Sequence, residues 1–188
     1  MPSIIIEKDG FNQVMQSLKP FVAVYESRET LRHIKLEHKA GSDSVTAVAL
    51  DGFKLCKLSI PCSGEDDFDA IIPVVQKTSA KSVRIIVEGD RITFDHEGLF
   101  TITYKKIGGE YINWRKIIPS ENKQYAICVN PRYLADALKS VPKNTKSVIL
   151  RFGSRVSPIL VEDGEGLQML VLPIRNSRFE EEADHANP

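Results

Sequence analysis

The closest thing to an acid/base or metal cluster is "DRITFDHEG", residues 90 to 98, with Asp90, Asp95, His96 and Glu97. Carboxylates beside an imidazole could share a proton or ligate a divalent cation, provided the side chains converge. The flanking pattern suits a plainer role. Apolar residues alternate on both sides and Gly98 punctuates the run, as in a solvated turn between strands. His33 and His38 fall on opposite faces of one expected strand, which is poor ligand geometry. Cys56, Cys62 and Cys128 are odd in number and lack C-x-x-C spacing, so a reducing cytoplasm is the simplest setting. The sequence holds no glycine-rich phosphate loop, no H-E-x-x-H pair and no G-x-S-x-G elbow. Their absence weakens the enzyme reading without excluding it, and the expectation is no catalytic residue, no metal and no cofactor.

The stretch "SVTAVALDGFKLCKLSIP", residues 44 to 61, carries a different signal. Asp51-Gly52 between two alternating apolar runs predicts a hairpin with a two-residue type I′ loop. Cross-strand pairing then places Val45, Ala47, Ala49, Cys56, Leu58 and Ile60 on one face, as a core requires. The opposite face should be polar, yet near the turn it carries Val48, Leu50, Phe53 and Leu55. Two readings stay open: an exposed apolar patch that receives a partner, or a face that another part of the chain covers.

The elements around this hairpin repeat. Residues 3 to 7 read as a strand, and Phe11, Val14, Met15 and Leu18 recur at helical spacing until Pro20. Three strands follow over about 34–39, 44–50 and 53–60. A shorter version comes next: "DAIIP", a stunted helix over about 74–80, and the strands "SVRIIVEG", "RITFDHEG" and "LFTITYKK". The third starts at "QYAICV", with Asn130 as N-cap and Pro131 at the first helical position. Leu134, Ala137, Leu138 and Val141 then share one helix face before the strands "SVILRF", "SPILVE" and "LQMLVLPI". The expected fold class is α+β, built from three strand-helix-three-strand modules. Modules one and two are expected to form a domain over residues 1–119, and the third a half-domain over 120–177. The acidic, apolar-poor segment 178–188 reads as a disordered tail.

A chain of 188 residues with 42% apolar content can bury such cores. Twenty-five basic residues balance 25 acidic ones, so no global field draws the protein to nucleic acid or to a membrane. No apolar run approaches membrane-spanning length and no signal peptide opens the sequence, which together predict a cytoplasmic protein.

Five segments, in order, resemble the bacterial sliding clamp, the beta subunit of DNA polymerase III. "VALDGFKL" is similar to the family's A-T-D-G-H-R-L hairpin and "YESRETLRHIKLE" to its E-T-R-P-x-L-x-G stretch. "GGEYINWRKIIP" resembles the connector G-x-F-P-D-Y-x-x-V-I-P, and "VNPRYLADALKSV" the helix F-N-x-x-Y-L-x-D-x-L. "SPILVEDGEGLQMLVLPIRN" resembles S-P-x-x-I-x-x and the terminal M-P-x-R-L. The resemblance spans about residues 3 to 176, as the clamp's middle domain plus the second half of its last. Departures are Glu29 and Ile112 in place of Pro, His33 in place of Gly, and Phe53 in place of His.

The resemblance implies a DNA-clamp-like fold and a non-catalytic role in DNA replication as a processivity factor, with a groove that binds short peptide motifs of polymerase and clamp-loading proteins. It carries that groove onto Arg28, Leu31, Leu50, Gly52, Phe53, Lys54 and Leu55, and onto Lys116 and Ile117 of the connector. The third module would add Asn130, Tyr133, Val156, Pro158 and Leu170, followed by Val171, Leu172, Pro173, Ile174 and Arg175. Strand alternation makes about half of the terminal apolar run core. The family's helices face double-stranded DNA without reading sequence, which would fall here to Lys19, Lys77, Lys81, Arg132, Lys139 and Lys143. A solvated helix face is the alternative for these. Two rival functions share the fold: a decoy or inhibitor that keeps the groove without encircling DNA, and a small-molecule enzyme using that groove. The unpartnered third module further predicts a homodimer or a larger ring.

Overall fold

Ile4 and Ile6 alternate with polar neighbours in Ser3–Glu7 (β1), and both are fully buried. The following helix, Lys8–Leu18 (α1), buries Phe11, Val14, Met15 and Leu18, the i, i+3, i+4, i+7 stripe. Glu7 is its N-cap, and Asp9 lies in the first turn, where a carboxylate favours the helix dipole. Pro20 ends it in a 3-10 turn, Lys19–Phe21. The computed structural model describes residues 1–25, 27–118 and 126–175. They form two compact units that divide after Ile118.

Unit 1 contains two four-stranded antiparallel sheets. One has the order β4-β3-β2-β5, from Ile34–His38 (β2), Ser44–Leu50 (β3), Leu55–Pro61 (β4) and Phe68–Ile72 (β5). The other has the order β1-β6-β7-β8, with Ser82–Glu88 (β6), Arg91–Asp95 (β7) and Thr101–Lys105 (β8). The modules therefore exchange strands. β1 pairs with β6 of the second module, and β5 returns to pair with β2 of the first. α1 packs on strands of both sheets, β1, β3, β4 and β6. Ile4, Phe11, Leu36, Val45, Ile85 and Phe94 belong to the single core that results.

Two expectations are corrected here. The hairpin pairs Leu50 with Leu55 and Ala49 with Cys56, so its loop is Asp51–Lys54 and not Asp51-Gly52 alone. Gly52 has φ +91, while Asp51 does not enter the positive-φ region, which rules out the type I′ turn. The Asp51 side chain is the cause. Its Oδ1 accepts from the amides of Phe53 and Lys54, each at 3.0 Å, and its Oδ2 pairs with Lys54 Nζ. An Asx turn thus replaces the tighter one. The register slips by two, so each residue keeps its face.

The second correction is the stunted helix over 74–80, which is extended chain. Side chains of α1 take up its backbone. Asn12 exchanges two hydrogen bonds with Thr78, Oδ1 accepting from the Thr78 amide at 2.7 Å and Nδ2 donating to its carbonyl at 3.1 Å. Met15 Sδ accepts from Val75 N at 3.5 Å. A backbone satisfied from outside has no need of helical bonds.

Unit 2 has the helix Pro131–Lys139 (α2) and the strands Ile149–Arg151 (β9), Ile159–Glu162 (β10) and Gln168–Val171 (β11), in the order β11-β10-β9. Asn130 caps α2, its Oδ1 accepting from Arg132 N at 2.9 Å. The core here is small: Ile159, Val161 and Val171 are buried, with Leu134, Ala137 and Met169 among the partly buried residues against them. Of the expected strand "QYAICV", residues 124 and 125 lie outside the described residues, as does the 178–188 tail. Cys128 and Val129 meet the chain after β11, through the Val129–Pro173 bridge and the Ile174 N to Cys128 O bond of 2.9 Å.

Candidate functional site

A second, smaller core lies beneath the hairpin tip. Val48 and Leu50 of β3 are buried there with Ala23, Leu31, Ile71, Tyr111 and Trp114, and Leu55, Ile107 and Ile112 pack at its margin. Residues 107–116 thus help to cover the second apolar face of the hairpin. Tyr111 clamps this cover. Its hydroxyl, at 3.3 Å from each, faces the carbonyls of His33 and Val48, and burial pushes its pKa up to about 12. Arg115 stacks over the Trp114 ring at 4.1 Å and pairs with Glu37 at 2.6 Å, while Lys57 lies 5.5 Å from the same ring.

The groove residues expected in unit 1 separate into two layers. Leu31 and Leu50 are buried and can only back a surface. Phe53 is 98% exposed, Ile117 is 52% exposed, and Arg28, Gly52, Lys54 and Lys116 also face solvent, with Leu55 between the two layers. Phe53 is held and not dangling, because its amide is fixed by Asp51 in a loop closed by Asp51 N to Lys54 O at 3.2 Å. Nearby in sequence, the segment closed by Ala23 N to Leu31 O at 2.9 Å exposes Val24 and Tyr25. Sequence reasoning missed this pair, along with Tyr111, Trp114 and Arg115; the aromatic spacing in "YINWR" was the signal available.

In unit 2, alternation splits the terminal run. Val171 is buried, while Leu170 and Leu172 are 64% and 63% exposed. Pro173 is half-buried beside Val129, and Ile174 and Arg175 face solvent. Tyr133, Val156 and Pro158 are exposed, Val156 on a turn that Ser154 closes by accepting from the Ser157 amide at 3.1 Å. Asn130 is committed to its cap.

The six basic residues expected to face DNA are all exposed. Lys77 and Lys81 flank extended chain and not a helix, and Lys77 Nζ donates to Gln16 Oε1 at 2.5 Å. Lys139 sits 3.9 Å from Asp136. The cluster at 90–98 has structural partners: Asp95 accepts from Gly98 N at 2.9 Å and Glu97 from Lys81 N at 2.8 Å. His96 is buried, 2.8 Å from Thr78 Oγ1 and stacked on Phe100, and burial lowers its pKa. His38 faces the carbonyls of Ser44 and Gly64 at 3.0 and 3.2 Å. A polar concavity beside it carries Glu37, Asp67 and Asp69, which pair with Arg115, Lys39 and Lys35. Among the described residues no group of His, Cys, Asp and Glu is arranged to hold a metal ion, and no helix is long and apolar enough to cross a membrane.

No family model and no curated protein matches the chain. Solved structures do. The Helicobacter pylori beta clamp bound to a DNA ligase peptide superposes with a TM-score of 0.75 at 17% identity, covering 100% of this chain and 57% of that one. DNA polymerase III subunit beta from Borrelia burgdorferi, in complex with a natural product, gives 0.67 at 18% identity, over 93% and 47%. The Pseudomonas aeruginosa sliding clamp bound to griselimycin gives 0.55 at 16%, over 93% and 65%. The chain thus spans about half to two thirds of the length of these clamps. Its fold is that of the DNA polymerase III beta subunit.

Proposed function

We propose that this protein is a non-catalytic binding platform of the sliding-clamp type, and that it takes short linear peptides from replication proteins on its exposed apolar surface. The observation that carries the reading is Phe53, an aromatic ring 98% exposed on a loop that Asp51 holds in shape. A loop already held in shape loses little backbone entropy when a ligand covers it, and desolvation of the exposed ring favours binding. Phe53 suits a peptide's hydrophobic anchor, and Lys54, Arg28 and Lys116 suit its polar or acidic flanks. Unit 2 exposes apolar residues of its own, Leu170, Leu172 and Ile174 among them.

Two proteins of the same fold support this choice of ligand, one holding a DNA ligase peptide and one griselimycin. The dispersed basic residues add nothing to it, so the proposal rests on peptide and not on DNA. A fluorescein-labelled copy of the DNA ligase peptide bound by the H. pylori clamp provides the test. Its anisotropy should rise saturably with this protein, and unlabelled griselimycin should reverse the rise. A flat titration at protein concentrations up to about 1 mM, the scale of binding worth only about 4 kcal/mol, overturns the reading.

A further inference from the structure

We propose that the turn between β7 and β8 is a pH-operated latch, in which protonation of His96 opens residues 96–100 locally while the rest of unit 1 stays folded. His96 is only 2% exposed. Its Nδ1 lies 2.8 Å from Thr78 Oγ1, which also accepts from Ala80 N at 3.0 Å, and its Nε2 is buried with no hydrogen-bond partner among the described residues. A neutral imidazole fits this site. Its Nδ1–H donates to Thr78 Oγ1 and leaves Nε2 as a bare acceptor, whereas an imidazolium must donate from both nitrogens. The second N–H would then be stranded in the core together with the charge.

The groups around the ring do not relieve it. Asp95, beside His96 on the chain, favours the proton through its field, and Arg84 of β6 lies opposite Asp95 in the strand register. α1 contributes the edge of Phe11, 5.9 Å away between ring centroids, and the 74–80 segment contributes the Thr78 hydroxyl. Phe100 stacks on the imidazole at 4.1 Å and 17° from parallel, and its face attracts a cation weakly. None of them accepts from Nε2. Desolvation outweighs the Asp95 field, so the closed turn holds the ring neutral.

The turn is also built to give way. Glu97 holds φ +53, a left-handed conformation that is uncommon for a residue with a side chain. Contacts at its margin keep it there: Gly98 N donates to Asp95 Oδ1 at 2.9 Å and Lys81 N to Glu97 Oε2 at 2.8 Å. Two backbone bonds of 3.0 Å, His96 N to Phe100 O and Leu99 N to His96 O, complete the closure. Little apolar surface anchors it. Phe100 is 45% exposed and Leu99 68%, and β8 beyond them is the last strand of its sheet, so opening sacrifices few contacts and admits water to Nε2.

Amide hydrogen exchange of the full chain, corrected for intrinsic rates at each pH, reads the opening. In the open turn the ring titrates near its ordinary value of about 6.5, and below that pH the open fraction rises by up to tenfold per unit until the closed ring titrates too. The amides of His96 and Leu99 should lose protection roughly 5- to 10-fold between about pH 7.5 and 5.5. A local opening exposes little surface, so that loss should be unchanged in about 1 M urea, whereas protection at Ile85 in β6 should fall with urea. In carbon-13 NMR the His96 ring should titrate below about 6.5, and His96→Gln should hold the turn's protection within twofold across the same pH range. If that variant fails to fold, the wild-type exchange and the ring titration still decide. Wild-type protection constant within twofold, a loss as urea-sensitive as that at Ile85, a slope retained in a folded His96→Gln, or a ring that titrates at or above about 6.5 overturns the proposal.

Discussion

Two neighbouring apolar residues of the hairpin should behave in opposite ways when shortened. Phe53 is 98% exposed and Leu50 only 3%. Phe53→Ala removes no core contact, so stability should change by less than about 0.5 kcal/mol. Leu50→Ala opens a cavity among Leu31, Tyr111 and Trp114 and should cost about 2–4 kcal/mol. For peptide binding the order reverses. Covering a fully exposed Phe contributes about 1.5–3 kcal/mol, so its loss should weaken the DNA ligase peptide by roughly 10- to 150-fold. Urea unfolding followed by Trp114, the chain's single tryptophan, measures the first quantity in the same core that Leu50 occupies. Anisotropy of the labelled peptide measures the second. The reasoning fails if Phe53→Ala costs more than about 1 kcal/mol of stability, or if it leaves peptide affinity within twofold.

Leu172→Asp places a charge on a position of unit 2 that is 63% exposed, so its urea melt should stay within about 0.5 kcal/mol of the wild type, and a larger loss would show that Leu172 is covered. Asp51→Ala frees the amides of Phe53 and Lys54, and should lower the urea midpoint together with peptide affinity. Tyr111 titrates near 10 when unfolded and at about 12 when folded, so its contribution holds below pH 10 and is lost between pH 10 and 12. The loss is of order 2–3 kcal/mol, and Tyr111→Phe should flatten that part of the stability profile. For His96 the sign is opposite. Burial lowers its folded pKa, so the unfolded chain takes the proton first and stability should fall as pH drops below about 6.5. His96→Gln should remove that slope.

Much of the architecture was legible because period and spacing are local properties. The stripe Phe11, Val14, Met15, Leu18 and the Asn130-Pro131 cap marked both helices without reference to the rest of the chain. What stayed hidden was decided at a distance. Nothing near 74–80 says that Asn12 and Met15 will satisfy its backbone, and nothing in β1 or β5 says that each joins the other module's sheet. Asp-Gly suits both a two-residue loop and an Asx turn, and the slip of two residues left every face unchanged. Leu50 and Phe53 look alike in sequence, and residues 107–116, with Tyr111 and Trp114, bury one and leave the other in water.

The most direct test of the account is a nitrogen-15 NMR titration of the full chain with the unlabelled DNA ligase peptide. The account predicts saturable shifts at Gly52, Phe53, Lys54 and Leu55, reversed when griselimycin is added. Amide shifts confined to other surfaces, or none at about 1 mM peptide, would contradict it.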